Sequence, residues 1–404
     1  MNLKINYNKI DDLLYDESIN MDNPIFDRDL GTILYFSNRY LYSKEIELKV
    51  KAEKLLDAFI TKFGSYEYEK GILTGFEGVF WVIKQLERSK IISDSEGFLK
   101  DIELNLITSI NSDILSGNFE LFYGFIGKIQ YFLTSKEKLQ KVEKLVFESI
   151  ETLWNCKIEK NEQIYWASLE GDKFIDLGIA HGITGVLTYL TRLKELGFKN
   201  KRIDKLIEGV LKTITNSENK INIDCSFPSV YSIDTEFKKN NFYASRLGFC
   251  KGDLPIAYAL YYYGVTDDNI DVIKKAESVI GLIVGRDISN SSLLHLSEYD
   301  FFDIGFCHGI SGILFMLSRI NQWCKNDNLE KRILYWKREL INNTNKLIAI
   351  EKTSEIIYSS RYNKFDRMFE LDKNSFLNGI CGAGLTLLAV ENNDYTIGNF
   401  LSLY

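Results

Sequence analysis

The stretch FFDIGFCHGISGILFML, residues 301–317, joins two signals in one place. Gly309 and Gly312 stand three residues apart at the start of a strongly apolar run, which is typical of a buried helix. Directly before this pair come Cys307 and His308, in a chain with six cysteines and three histidines. Cys307 and His308 therefore stand at the entrance of a predicted buried helix.

The same glycine spacing recurs along the chain. Five pairs have glycine at both positions, one pairs Gly252 with Pro255, and one has Arg28 in place of the first glycine. The second members of the seven units are residues 31, 78, 127, 185, 255, 312 and 382, with steps of 47 to 70 residues. A step of this length accommodates two helices and their loops, so we predict seven structural repeats.

Each unit combines two kinds of helix. The run VFWVIKQL (79–86) follows a glycine pair and is apolar on most sides, whereas KAEKLLDAFITKF (51–63) has apolar residues every three or four positions and charged residues between them. A ring of buried helices inside a ring of amphipathic helices satisfies this alternation. We predict an all-α fold, an α/α toroid with about seven inner and seven outer helices, with residues 1–404 as a single domain. An up-and-down solenoid is the alternative.

Two segments interrupt the helical pattern. Residues 157–176 and 219–246 mix β-branched, aromatic and turn-forming residues. We expect them to be inserted loops or short strands at one rim of the toroid.

The composition narrows the class of protein. The net charge is −7 and there is no basic tract, which argues against nucleic acid as a partner. The sequence shows no apolar run of transmembrane length and no signal peptide at its start, so we expect a cytoplasmic protein. In a reducing compartment the six cysteines would be free thiols or metal ligands.

The position directly before the first glycine of each pair, which we call the slot, carries the candidate site residues. The slot residues are Asp27, Thr74, Tyr123, His181, Lys251, His308 and Asn378. The residue before the slot is a cysteine in two units, Cys250 and Cys307. In a closed ring, equivalent slots would converge on one end of a central cavity.

Cys250, Cys307 and His308 are therefore candidate metal ligands. Two thiolates and an imidazole suit zinc better than magnesium or calcium, and three protein ligands leave a fourth position open, as in catalytic zinc sites. Such a site favours a substrate thiol in its nucleophilic thiolate form. The alternative is that these cysteines are small buried residues, as we expect for Cys381.

Four motifs together resemble the LanC-like lanthipeptide cyclases, with agreement in order and spacing across most of the chain. They are LGIAHGITG (177–185), RLGFCKGDLP (246–255), FCHGISG (306–312) and FLNGICGAG (376–384). The resemblance implies an α/α toroid with one Zn²⁺ per chain. It also implies an enzyme of antibiotic peptide biosynthesis that adds peptide cysteine thiols to dehydroalanine or dehydrobutyrine, forming lanthionine or methyllanthionine thioether rings.

The resemblance also assigns roles by motif. It implies that the zinc ligands are Cys250, Cys307 and His308, and that the catalytic residues are His181, Arg246 and Glu120. His181 would protonate the α-carbon after thiol attack, since imidazole titrates near neutrality. The alternatives are a hydrogen-bonded core histidine for His181 and a surface ion pair for Arg246.

Three acidic or basic positions near these motifs stay open. Glu120 stands where an aspartate is more usual, which leaves its acid–base activity open. Lys251 replaces the usual tyrosine, which implies altered substrate contacts; it would attract an acidic leader or face solvent. Asp176 is a candidate to orient His181.

The resemblance implies a dehydrated precursor peptide with a leader as substrate. It further implies a separate dehydratase and a transporter in a modification complex, through which the protein would be peripheral to the membrane. Two alternatives keep the fold: zinc-dependent addition of glutathione or another small thiol to activated alkenes, and a non-catalytic peptide-binding scaffold. A third is a carbohydrate-active toroid with two carboxylates, for which Asp27 and Glu77 are the candidates.

Overall fold

A computed structural model gives the fold. It describes residues 5–18, 26–63, 69–93, 95–167, 174–219, 225–228, 230–232, 245–296, 299–350 and 374–404. Helices dominate these ranges, which confirms the predicted all-α class. The strands within them form three separate antiparallel pairs and no closed sheet. None of the described helices combines the length and the apolar character that a membrane crossing requires.

The helices follow one another with few strands between them. In chain order, the helices of the described residues are α1 (Tyr7–Ser18), α2 (Gly31–Ser43), α3 (Ile46–Phe63), α4 (Val79–Arg88), α5 (Glu96–Ser116), α6 (Phe125–Ile129), α7 (Lys136–Lys141), α8 (Glu143–Cys156), α9 (Ile183–Glu195), α10 (Lys201–Asn216), α11 (Asp253–Thr266), α12 (Ile270–Val284), α13 (Ile310–Cys324), α14 (Asp327–Ile348) and α15 (Ile380–Asn392). Single helical turns lie at Phe26–Leu30, Phe76–Gly78, Gln130–Thr134 and Thr396–Leu401. The strands are β1 (Ile158–Lys160), β2 (Gln163–Tyr165), β3 (Phe174–Asp176), β4 (Val230–Ser232), β5 (His295–Leu296) and β6 (Phe301–Phe302).

The helices that follow the glycine pairs are the buried ones. Within the described ranges these are α2, α4, α6, α9, α11, α13 and α15, one for each predicted repeat. In α11 every residue from 253 to 264 is buried, and in α15 every residue from 380 to 389. A helix without a polar face gains the most free energy when all of its sides are removed from water. The apolar runs of the sequence therefore predicted correctly that these helices are buried.

The helices between them keep one face in water. In α3 the buried residues are Leu48, Ala52, Leu55, Leu56 and Phe59, which follow the three- and four-residue spacing of one helix face. In α12 they are Ala276, Val279, Ile280 and Ile283. Buried and half-buried helices thus alternate along the chain.

The chain forms two compact units. Unit 1 comprises Met1–Leu104, Leu293–Ser318 and Asp327–Ile397, and unit 2 comprises Asn105–Ser292, Arg319–Asn326 and Gly398–Tyr404. Within unit 1 the buried helix α2 packs against both α4 and α15. Within unit 2 the buried helix α9 packs against both α6 and α11. In each unit, therefore, buried helices of successive repeats are neighbours, and in unit 1 the last repeat meets the first.

Backbone hydrogen bonds join the loops that precede the buried helices of unit 1. The amide of Cys307 donates to the carbonyl of Leu377 at 3.0 Å, and the amide of Phe376 donates to the carbonyl of Asp27 at 2.5 Å. The amide of Asp27 in turn donates to the carbonyl of Leu73 at 3.0 Å. These bonds satisfy loop amides that burial takes out of water, and they fix each loop relative to the next.

The two segments that interrupt the helical pattern contain short strands. β1 pairs with β2, and β3 pairs with β4. β2 lies against α10, where the hydroxyl of Thr213 donates to the carbonyl of Ile164 at 2.9 Å. Residues 168–173, 220–224, 229 and 233–244 of these segments lie outside the described residues.

A buried polar cluster fastens α1 to α2 in unit 1. The guanidinium of Arg39 binds the carboxylate of Asp11 through two bonds, at 2.8 and 3.1 Å. The hydroxyl of Tyr35 donates to the same carboxylate at 2.6 Å. Asp11 is only 4% exposed and Arg39 only 7%. Each charge therefore depends on the other for its neutralisation.

Replacing Asp11 with Ala should lower the melting temperature strongly. Removing one partner of a buried ion pair leaves an uncompensated charge, which typically costs about 3–5 kcal/mol. The measurement is thermal unfolding followed by circular dichroism. Glu53→Ala is the control. Glu53 and its partner Lys49 are both partly exposed, and such ion pairs contribute about 0–1 kcal/mol to the free energy of unfolding. Equal melting temperatures for the two variants would contradict the role of this cluster.

Candidate metal centre and its histidine–carboxylate pair

The slot residue is the accessible part of each loop. All seven slot side chains are partly or fully exposed. The residue before the slot is buried in every loop except that of Leu377, and the glycine that follows the slot is buried in all six loops that have one. In five of the seven repeats the fold thus leaves the slot side chain accessible and buries the residues on both sides of it.

The glycine after the slot is required by a close backbone approach. A Cβ on Gly182 would lie 2.2 Å from the carbonyl oxygen of Asp176, six residues earlier. Gly252 shows the same approach, 2.2 Å from the carbonyl of Arg246, and has a φ of 102°. Both features exclude a side chain. The loop therefore curls back on itself just before the helix, with the slot residue at its last turn.

The three predicted ligands lie together. The ligand atoms of Cys250, Cys307 and His308 are all within 4.8 Å of one another. The Sγ of Cys307 is 3.5 Å from the Nε2 of His308. The cysteines are 5% and 6% exposed, and the histidine is half-buried. No other cluster of potential metal ligands occurs in the part of the chain that the structure describes.

This group fits zinc. Thiolate and imidazole ligands of a tetrahedral zinc lie about 3.5–3.8 Å from one another, given metal–ligand bonds of about 2.0–2.3 Å. The distance of 3.5 Å between the Sγ atom of Cys307 and the Nε2 atom of His308 falls in this range, and all three ligand atoms lie within 4.8 Å of one another. The donors are two sulfurs and one nitrogen without a carboxylate, a set that disfavours magnesium and calcium.

The remaining cysteines stay apart from this group. They are Cys156, Cys225, Cys324 and Cys381, all free thiols. Cys381 is fully buried, and its sulfur lies against Gly31 at the start of α2, 3.3 Å from where a Cβ would stand. This position agrees with the packing role expected from the sequence.

Unit 2 brings three of the site loops into contact through their backbones. The amide of Leu121 donates to the carbonyl of Ala180 at 3.1 Å. The amide of Ile179 donates to the carbonyl of Cys250 at 3.0 Å. The loops that carry Glu120, His181 and Cys250 are therefore consecutive neighbours.

His181 is paired with Glu120. The Nδ1 atom of the imidazole is hydrogen-bonded to the Oε2 atom of the carboxylate. Burial disfavours the charged imidazolium, but the hydrogen bond and negative charge of Glu120, together with the charges of Asp176 and Cys250, outweigh it and raise the pKa of His181. The edge of the imidazole packs against the ring of Phe122, with 5.4 Å between centroids.

Sequence reasoning missed this pairing. Glu120 and His181 are 61 positions apart, and Asp176 was the residue expected to orient the histidine. A signal was present, because both residues stand at the entrance of buried helices in consecutive repeats. Spacing alone gave no indication that the longer Glu120 side chain reaches the imidazole.

Asp176 is engaged elsewhere. Its Oδ2 atom lies 2.8 Å from the Nζ atom of Lys251, and the amide of Gly178 donates to its Oδ1 atom at 2.7 Å. It influences His181 by its charge. Lys251 is therefore an ion-paired, half-buried residue instead of a fully solvated one.

Arg246 and His295 are not drawn into these pairs. Arg246 is half-buried and stands four residues before Cys250. Within the described residues no hydrogen bond joins its side chain to another candidate. His295 lies at β5, where its ring packs on Phe302 at 4.3 Å and its Nε2 atom lies 3.3 Å from Asp300.

Comparison with solved structures supports the toroid. Nisin cyclase matches with a TM-score of 0.73 and 18% identity, covering 98% of this chain and 97% of that chain. The predicted α/α toroid is confirmed by this likeness of fold. An unsaturated glucuronyl hydrolase specific for heparin matches with a TM-score of 0.44 and 12% identity, covering 96% of each chain, a level that supports no inference about activity.

Comparison of sequences identifies the family. No curated protein matches the chain by sequence. Residues 29–401, however, match the family described as lanthionine synthetase C-like protein. The matched region contains six of the seven slots and leaves out that of the first repeat. Because the match extends over most of the chain, the protein belongs to the lanthionine synthetase C-like family.

Proposed function

We propose that this protein is a zinc-dependent cyclase that adds the cysteine thiols of a dehydrated precursor peptide to dehydroalanine or dehydrobutyrine. The products would be lanthionine and methyllanthionine thioether rings. The observation that carries the proposal is the group of two buried cysteines and one histidine, within 4.8 Å of one another, in a chain of the lanthionine synthetase C-like family. This donor set suits the binding of a further thiol.

The proposed ligands are Cys250, Cys307 and His308. A zinc ion bound by them would have one coordination position left for the substrate and would favour the thiolate form of a cysteine placed there. The burial of both cysteines limits the access of water to this position, which protects a nucleophilic sulfur.

His181 is the proposed proton donor. When the sulfur adds to the β-carbon of the alkene, a carbon–sulfur bond forms and negative charge develops on the α-carbon and its carbonyl oxygen. A proton must then reach the α-carbon. Because Glu120 raises the pKa of His181, the imidazole holds its proton to a higher pH than a free histidine would. Its Nδ1 atom is bound to Glu120, which leaves Nε2 as the nitrogen that faces the substrate.

Glu120 and Arg246 have supporting catalytic roles in this proposal. Glu120 orients the imidazole and favours its protonated form, which requires a carboxylate but no proton transfer by Glu120 itself. Arg246 stands four residues before Cys250 and is half-buried, so that a guanidinium there can stabilise the negative charge on the acceptor carbonyl.

The substrate must be dehydrated before it can accept a thiol. We therefore propose a precursor peptide with a leader, a separate dehydratase that acts first, and a transporter in the same modification complex. We expect the reaction in the cytoplasm or at its membrane surface through that complex, because a reducing compartment keeps peptide thiols free.

The purified protein should contain about one zinc per chain. Cys307→Ala and His308→Ala should lose tight zinc binding, because two protein ligands seldom retain a zinc ion. Elemental analysis of protein purified without chelator measures the content. Cys324→Ala is the matched control, since Cys324 lies at the other end of α13 and outside the ligand group.

Removing the zinc with a chelator should leave the helical circular dichroism signal largely unchanged. A chain of this size buries a core that is stable without metal, unlike a zinc finger. Protein free of zinc as purified, or loss of helicity on chelation, would contradict a catalytic zinc site.

His181→Ala should keep the zinc and the fold but lose about 10²–10⁴-fold in cyclisation rate, which is the usual contribution of a proton-transfer group. The assay is a dehydrated peptide containing cysteine, with the remaining free thiols measured by alkylation because cyclisation leaves the mass unchanged. His295→Ala is the control and should retain the rate. Full ring formation by zinc-loaded His181→Ala protein would rule out proton transfer by His181, and reaction with glutathione alone would favour a small-thiol transferase.

Glu120→Gln should move the alkaline limb of the rate profile to lower pH. The glutamine oxygen can still accept a bond from Nδ1, but without the negative charge the pKa of His181 falls. Activity that needs the imidazolium is lost as the pH rises through that pKa, and this loss begins earlier in the variant. Glu148→Gln, at an exposed ion pair on α8, is the control. An alkaline limb identical in Glu120→Gln and wild type would contradict the pairing.

A further inference from the structure

The ion pair between Lys251 and Asp176 contains neither a proposed metal ligand nor the proposed proton donor. The Nζ atom of Lys251 lies 2.8 Å from the Oδ2 atom of Asp176, and the two side chains are 21% and 9% exposed. Lys251 follows the ligand Cys250 directly, and Asp176 begins the loop that ends at His181. The pair thus connects a proposed metal ligand to the proposed proton donor within unit 2.

The Asp176 carboxylate uses both oxygens to fix its loop. Oδ1 accepts the amide of Gly178 at 2.7 Å, which closes a tight turn at the start of residues 176–182. Oδ2 faces Lys251. A carboxylate with a cation on one oxygen and an amide on the other cannot rotate without losing one of them.

The aliphatic part of Lys251 also packs against this turn. A Cβ on Gly178 would lie 3.0 Å from the Cγ atom of Lys251 and 2.1 Å from the carbonyl oxygen of Cys250. The same carbonyl accepts the amide of Ile179 at 3.0 Å. The two loops are therefore locked by a backbone bond, a glycine contact and an ion pair.

Unit 1 contains the same turn with a different residue in the facing slot. Asp303 accepts the amide of Gly305 at 2.7 Å, as Asp176 accepts that of Gly178. A Cβ on Gly305 would lie 2.5 Å from the carbonyl of Leu377 and 2.8 Å from the Cα atom of Asn378. Asn378 stands where Lys251 stands in unit 2. The turn therefore forms without a lysine, and the ion pair is an addition at the His181 loop.

We propose that Lys251 is a positioning residue, which through Asp176 holds the His181 loop at a fixed distance from the Cys250 loop. Its kinetic consequence rests on the proposed cyclase function. In the proposed reaction a sulfur held near Cys250 adds to the β-carbon of a dehydrated residue, and His181 delivers a proton to the α-carbon of the same residue. A displacement of about 1 Å between such groups can cost about 10²-fold in rate.

The first experiment needs no substrate. Lys251→Met preserves the length of the aliphatic chain and removes the charge. Hydrogen exchange followed by mass spectrometry should show faster exchange in residues 174–182 of the variant, where the amides of Gly178 and Ile179 lie. Exchange in residues 303–309 should be unchanged and serves as the internal control. Unchanged exchange in residues 174–182 would overturn the proposal.

The second experiment is kinetic. We expect Lys251→Met to lose about 10–100-fold in kcat, with KM and zinc content near those of the wild type. Lys251→Arg should recover most of the rate, since a guanidinium can still bind Asp176. The double variant Lys251→Met with Asp176→Asn should be no slower than the slower single variant, because both changes break one pair.

Lys194→Met is the matched control. Lys194 is 23% exposed and also ion-paired, but it lies at the far end of α9 from His181. It should retain the wild-type kcat. A full rate in Lys251→Met, or additive losses in the double variant, would overturn the positioning role. Absence of cyclisation by the wild type would instead overturn the proposed function, while the exchange experiment would still test the coupling of the two loops.

Discussion

The return of the backbone onto itself before the buried helices of five repeats is the constraint on which the rest of this structure depends. At Gly182 and at Gly309 the glycine approaches the carbonyl of the residue six positions earlier so closely that a Cβ would lie 2.2 and 2.5 Å from that oxygen. A loop this tight cannot accept a side chain at the contact, and its buried amides need hydrogen-bond partners within the protein. Its remaining amides are satisfied by the neighbouring loop, as between Ile179 and Cys250.

This constraint also creates the functional positions. In five of the seven loops the residues on both sides of the slot are buried, so the slot is the place where a side chain remains accessible. A helix interior would send neighbouring side chains about 100° apart, whereas the irregular backbone before α13 lets Cys307 and His308 approach within 3.5 Å. Chemistry can thus vary from repeat to repeat while the loop stays the same.

The loops before the buried helices of unit 2 carry several charged side chains close to His181. Glu120, Asp176 and Cys250 all act to raise the pKa of His181, and Lys251 neutralises one of them. Burial strengthens each of these interactions, since half-buried charges are poorly screened by water. Glu120 thus raises the pKa of His181 through a direct hydrogen bond, whereas Asp176 is bound to Lys251 and to the amide of Gly178 in its own loop.

The sequence by itself determined the repeat, the buried helices and the candidate ligand group. These are local features of the sequence: the glycine spacing, the apolar runs such as that of α11, and the cysteines before two slots. Local features are enough to predict the fold because every repeat packs in the same way. The solvated face of α3 followed from periodicity for the same reason. Motif order then predicted the family, which the match over residues 29–401 confirms.

Only the tertiary structure decided which polar side chains meet. Glu120 pairs with His181 of the next repeat, and Asp176 pairs with Lys251, because the partner of a flexible charged side chain depends on distances that differ by a few ångströms. Arg39 and Asp11 were not expected to pair for the same reason. A sequence determines which charges must be buried or solvated, whereas the choice among nearby partners is made by the packing of loops that are distant along the chain.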